Sequence, residues 1–275
     1  TVFSYNIDDS LKNSVTYRGE ATAEGFVSAP TPSASASPAP SASASPVPLV
    51  KATIKSITVY QGNQGEEQAK TTYNFNFLGT QIKTLTEFMY DVNDTLTQSS
   101  TFRNTVTTAL IAGVVKGPIK SLTVYKGNQG EEQADKTYNF NFLGTQIKTL
   151  TEFMYDVNDT LTQSSTFRNA NTVASAKIAD VVKGPIKSLT LYKGNQGEEQ
   201  AKTTYNFNFL GTQIKTLTEF MYDVNDTLTQ SSTFRNTATT ASTAIKDVVK
   251  GPIKSLTLYK GNQGEEQADK TYNFN

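Results

Sequence analysis

The chain has 275 residues, with 25 acidic and 25 basic side chains and neither histidine nor cysteine. Without cysteine there is no disulfide framework, and without histidine the usual zinc ligand and the usual general base are both missing. A net charge of zero leaves no basic footprint for nucleic acid, and no apolar run approaches the ~20 residues of a membrane-spanning helix.

The organisation is a tandem repeat. Ile54-Lys55-Ser56 opens a block that recurs at Ile119, Ile186 and Ile253, and Thr72–Asn104 is repeated letter for letter at Thr137–Asn169 and Thr204–Asn236. The reading divides the chain into a leading half-module (1–27), a Pro/Ser/Ala-rich linker (28–50), three whole modules (51–118, 119–185 and 186–252) and a trailing half-module (253–275). The leading segment Phe3–Arg18 aligns without gaps on Phe88–Arg103, so it corresponds to the second half of a module. The linker has no apolar periodicity, and its prolines favour extended backbone at ~3 Å per residue, enough to span up to ~60 Å.

Within a module, Ile54–Gln61 alternates and is rich in β-branched residues, which predicts a strand. Gly62-Asn-Gln-Gly65 supplies a turn. Thr71–Phe77 then places Tyr73, Phe75 and Phe77 on one face and Thr72, Asn74 and Asn76 on the other, the period of a half-buried strand. From Thr80 the apolar residues Ile82, Leu85, Phe88, Val92 and Leu96 recur at three- and four-residue spacings, which predicts a helix over 80–97. The many threonines there favour a strand as the competing reading. Ser99–Thr108 reads as a further strand, and the variable stretches 105–113, 170–180 and 237–247 read as surface connections. Val-Val-Lys-Gly-Pro ends each module at 114–118, 181–185 and 248–252, where proline is expected to stop regular structure and glycine to permit a turn. The expected fold class is therefore tandem small β-rich repeat modules, each a β-hairpin plus one helix and a further strand (α+β). The alternative is a set of all-β sandwich modules.

Chemistry-bearing motifs are few. Asp91, Asn93 and Asp94 place three oxygen-bearing side chains close together and are the candidate calcium ligands; a turn using Asn and Asp for local hydrogen bonds is the competing reading. No other cofactor is expected. Glu66-Glu67 and their copies at Glu132 and Glu199 read as solvated loop. The Gly-Asn-Gln-Gly turn lacks the Lys-Ser/Thr of a phosphate-binding loop. No enzyme is expected. Asn93-Asp94-Thr95 and its copies match the N-glycosylation pattern, which makes glycans a candidate partner.

The complementary halves at the two ends predict head-to-tail polymerisation of an extracellular or cell-surface structural protein. The N-terminal segment carries Phe3, Tyr5, Ile7, Leu11 and Tyr17; the C-terminal hairpin carries Leu256, Leu258, Tyr272 and Phe274. These nine residues are the expected subunit interface, with residues 1–27 of one copy completing the hairpin of the next by donor-strand-like addition. The two halves together lack a counterpart of Phe77–Leu85, so such a joint cannot copy an internal module in full. The alternative is a monomeric repetitive adhesin or stalk.

Overall fold

Every internal strand bonds its neighbours in sequence, so the repeats merge into one sheet. The computed structural model describes residues 1–18, 53–261, 263–264 and 266–275. The segment read as a linker, and the end of the leading half-module, lie outside those residues. The sheet is an antiparallel meander of sixteen strands in sequence order. The strands are β1 (Val2–Tyr5), β2 (Leu11–Tyr17), β3 (Ile54–Gln61), β4 (Gln68–Phe75), β5 (Ile82–Tyr90), β6 (Leu96–Asn104), β7 (Lys116–Lys126), β8 (Gln133–Phe140), β9 (Ile147–Tyr155), β10 (Leu161–Asn169), β11 (Lys183–Lys193), β12 (Gln200–Phe207), β13 (Ile214–Tyr222), β14 (Leu228–Asn236), β15 (Lys250–Lys260) and β16 (Gln267–Asn273).

Two expectations are corrected. The segment predicted as a helix is the strand β5 and the turn after it, so the modules are not α+β; nor are they sandwiches, because the strands form one sheet rather than two stacked ones. The reason lies in a bulge. Asn74 pairs with Thr84 but Phe75 pairs with Ile82, leaving Lys83 as an extra residue. The bulge puts Ile82 on the same face as Leu85, three residues away, and so imitates a helical turn. Phe88 then falls on the opposite face by simple alternation, and Val92 stands almost wholly exposed in the turn. The helix-like stripe thus mixes two core residues (Ile82 and Leu85), one residue of the other face (Phe88), one turn residue (Val92) and the first residue of β6 (Leu96).

Each repeat contributes four strands, and the two faces of the sheet differ in chemistry. On one face, Leu122 lies opposite Tyr138, Tyr138 opposite Leu150, and Phe140 opposite Ile147. Tyr138, Phe140, Ile147 and Leu150 form a buried cluster, with Ile119, Leu122 and Val124 packed against it. On the other face runs a row of hydroxyls, Thr123, Thr137, Thr151 and Thr166, on adjacent strands. Thr123 and Thr137 share a 2.8 Å hydrogen bond, and Thr151 and Thr166 one of 2.9 Å. Cross-strand pairs of this kind contribute roughly 0.2–1 kcal/mol each, which is the physical use of the threonines.

A single-layer sheet cannot bury much. The only large side chains buried completely among the described residues are Ile82, Ile147 and Ile214, one per repeat. They are covered by the variable connections, each holding one turn of 3-10 helix (Ile111–Gly113, Ile178–Asp180, Ile245–Asp247). Ile178 and Val181 fold back over the cluster around Ile147. The lid is fastened by one backbone bond and one side chain: Ile147 N–H donates to Ser175 O at 2.9 Å, and the Asn169 side-chain amide donates to Ile147 O while its Oδ1 accepts from Val182 N–H. These connections vary in sequence yet supply the second layer of the core.

The Gly-Pro link does not interrupt the sheet either. Gly117 and Pro118 lie inside β7, where the register slips between Phe102↔Ile119 and Asn104↔Lys116. A bulge asks for no ladder bond from proline. A Cβ on Gly117 would stand 2.4 Å from Thr105 Cγ2 and 2.9 Å from Arg103 O, so only glycine fits there without a shift.

Candidate self-association surfaces

The connections fall on two borders of the sheet. The β3–β4 and β5–β6 turns and their copies form one border, here the lower; the β4–β5 turns and the long connections form the upper. The two remaining boundaries are the outermost strands, β1 and β16.

The leading half-module docks in its own chain. Asn13, Ser14, Val15 and Thr16 of β2 pair with Val59, Thr58, Ile57 and Ser56, the register in which β6 meets β7. The β1–β2 hairpin therefore occupies the position of β5–β6 immediately before the first whole module. Of its predicted interface residues, Phe3, Tyr5, Ile7 and Tyr17 are exposed and Leu11 is half-buried. At the other end Tyr272 and Phe274 are exposed, while Leu256 and Leu258 are half-buried on β15. The structure does not bring the two sets together; it puts them at opposite ends of the strand order, and among the described residues no strand pairs with the outer side of β1 or β16.

The lower border is organised by carboxylates. Asp91 Oδ1 accepts the N–H groups of Asn93 and Thr95 at 2.9 and 3.0 Å, closing the β5–β6 turn. Asp94, Asp159 and Asp226 take a left-handed φ of 59°, and Asp9 one of 60°, in the equivalent turns. Of the candidate calcium ligands, then, Asp91 builds its own turn; no cluster of three or more His, Cys, Asp or Glu that could hold a metal occurs among the described residues.

The glutamates read as solvated loop turn out to clamp one hairpin to the previous one. Glu132 Oε1 accepts Leu96 N–H at 3.0 Å from the preceding repeat, and its Oε2 accepts Gly130 N–H at 2.9 Å. Glu67 does the same for Leu11 and Gly65, Glu199 for Leu161 and Gly197, and Glu266 for Leu228. The N–H of Leu11 is the main influence holding the Glu67 carboxyl below its ordinary value. For Glu266, burial pushes upward, but the N–H groups of Leu228, Glu266 itself and Gly264, with Lys55 nearby, outweigh it and lower the carboxyl. Nothing in the local pattern of the sequence signals these bonds, because the partner lies 36 to 56 residues away.

The upper border carries protruding apolar tips. Phe77-Leu78, Phe142-Leu143 and Phe209-Leu210 are all exposed. The guanidinium groups of Arg103 and Arg168 stack at 5.2 Å on Phe142 and Phe209, and that of Arg18 at 5.6 Å on Phe77.

Among the described residues the two borders meet at Lys55. Lys55 Nζ at the top of β3 donates to Gly264 O in the β15–β16 turn at 3.4 Å. Twelve strands lie between β3 and β16, so the sheet coils until its lower border arrives above the start of its upper border. No helix among the described residues is long and apolar enough to cross a membrane.

No family model matches the chain, and no curated protein matches it. Among solved structures, that of TcdB2-TccC3 aligns over 83% of this chain at 11% identity with a TM-score of 0.26, and the chain spans 14% of that protein's length. A porin-like protein from Bacteroides uniformis aligns over 74% of this chain and 91% of its own, at 11% identity and a TM-score of 0.18. These scores are too low to argue a shared fold.

Proposed function

We propose that this chain is a structural, non-catalytic protein of the cell exterior that assembles head to tail. The observation that supports this reading is the identity of the two outermost strands. At every internal repeat a strand of the β4 kind is followed by one of the β5 kind; β16 is of the first kind and β1 of the second. Among the described residues neither has a strand on its outer side, and each carries exposed aromatic side chains, a combination that favours pairing with a strand of another copy.

The internal register specifies the joint. Lys136 pairs with Glu152 and Thr137 with Thr151, so in the joint Lys270 of one copy meets Val2 of the next and Thr271 meets Thr1. Tyr155 donates its hydroxyl to Ala134 O at 3.0 Å, and Tyr90 and Tyr222 do likewise to Ala69 and Ala201. Tyr5 is their counterpart, and Ala268 of the neighbouring copy would be its acceptor. The contact is heterologous, so it propagates. Glycans on Asn93 and its copies, exposed in the lower turns, are compatible with such a fibre.

Electron microscopy of the purified chain, with and without residues 1–27, tests the reading. Fibres from the intact chain that vanish on deletion support it. Fibres that persist in the deletion place the joint elsewhere, and elongated monomers from the intact chain favour a monomeric stalk or adhesin.

A further inference from the structure

The meeting of the two borders at Lys55 has a composition that the repeat copies elsewhere. The upper border contributes Arg18, Lys55 and Phe77; the lower contributes Gly264, Glu266 and Gln267 of the β15–β16 turn, and together they line one shallow cavity. Lys55 both donates to Gly264 O and lowers the Glu266 carboxyl. The same three upper-border residues recur as Arg103, Lys120 and Phe142, and again as Arg168, Lys187 and Phe209. The turn that fills the first seat recurs as 62–67 and 127–132.

The first seat carries a turn and the other two do not. Phe77 is 54% exposed, whereas Phe142 and Phe209 are 75% and 77% exposed. Lys55 is half-buried, whereas Lys120 and Lys187 are exposed and have no hydrogen bond or ion pair among the described residues. Identical chemistry with one copy occupied and two open, facing an acidic turn with which it is already complementary, identifies the kind of partner.

We propose that the Arg103–Lys120–Phe142 and Arg168–Lys187–Phe209 seats receive the Gly-Asn-Gln-Gly-Glu-Glu turns of a second copy of this chain, so that copies stack as successive windings of one coil. This rests on the head-to-tail reading and supplies what it lacks, since the edge joint alone has only two residue pairs in the internal register. The order of occupants follows from the contact already present, in which the fourth turn sits on the first seat. If β1 of the second copy follows β16 of the first, the next turns along the coil are its residues 62–67 and 127–132. They arrive over the second and third seats respectively.

The test uses the absence of native cysteine. Full-length Leu143→Cys and Gln64→Cys chains are mixed and treated with a short bis-maleimide, and a single chain carrying Leu78→Cys with Gln263→Cys calibrates the occupied seat; Leu78 and Leu143 are exposed beside Phe77 and Phe142, so the seat cations are kept. The expected result is a covalent dimer between Leu143→Cys and Gln64→Cys chains, in a yield within a few-fold of the intramolecular calibration. The cross-link should fall several-fold at high salt, because the contact is ionic and near the surface. Association seen by sedimentation without the 64–143 cross-link overturns the stacking proposal and leaves the edge joint standing. No association at any concentration overturns both.

Discussion

Replacing Ile147 by alanine should be among the most damaging single truncations in the middle repeat. The side chain is completely buried, between the sheet and the lid residues Ile178 and Val181. Removing three carbons forfeits roughly 2.4 kcal/mol of transfer free energy at ~0.8 kcal/mol per methylene, and the residual cavity adds to it, for about 3–4 kcal/mol in all. Collapse of the lid would reduce the loss and a rigid lid would raise it. The control is Val157→Ala in the same repeat. Val157 is 97% exposed and should cost no more than about 0.5 kcal/mol. A buried helical stripe would have given both residues core roles, so the pair also separates strand from helix over 145–162. The assay is urea unfolding followed by circular dichroism at fixed protein concentration, comparing midpoints and slopes for the two variants and the parent. Equal losses at 147 and 157, or no loss at 147, would refute the reasoning.

Three further outcomes follow from the turns and the bulge. Asp159 sits at φ 59°, so Asp159→Gly should be neutral or slightly stabilising while Asp159→Val should cost about 1–2 kcal/mol, read from the same denaturation curves. Gly117→Ala should cost about 1–3 kcal/mol as its new methyl meets Thr105 and Arg103 O, and Thr105→Ser in the same chain should recover part of the loss. The Glu67 carboxyl is held below its ordinary value of 4.5. A lowered folded-state value means that its contribution is present above pH 4.5 and disappears as the pH falls through the folded value. Melting temperature should therefore drop on acidification below that point. Glu67→Gln, which keeps an acceptor for Leu11 N–H without the titration, should flatten that part of the profile.

What could be read from the residues was the repeat and its hairpin. Tyr73 and Phe75 alternate with Thr72 and Asn74, and period two survives because no bulge interrupts that part of β4. The next strand was hidden by the bulge at Lys83, which converts a spacing of two into one of three for Ile82 and Leu85. Pro118 pointed to a stop and instead sits inside a strand, because a bulge there tolerates a residue without an N–H. The lids over Ile82 and Ile147 were invisible because their own sequences vary, while the bonds that fasten them are made to lid backbone, from the backbone N–H of Ile82 and Ile147 and from the side chains of Asn104 and Asn169 outside the lids. Where the candidate interface residues lie was not legible: β2, with Leu11 and Tyr17, is already paired with β3, and in that hairpin, among the described residues, only the outer side of β1 has no strand beside it. The glutamate clamps and the Lys55–Gly264 contact join residues far apart in sequence, across the coil, and no local pattern reports such pairs.

The central claim is that copies of this chain continue one another's sheet. Sedimentation velocity of the intact chain over a wide concentration range, beside a Val2→Pro variant that disrupts the outer backbone of β1, tests it most directly. The account predicts species that grow with concentration for the parent and a single small species for the variant. A parent that sediments as one concentration-independent monomer, or a variant that grows as the parent does, would contradict it.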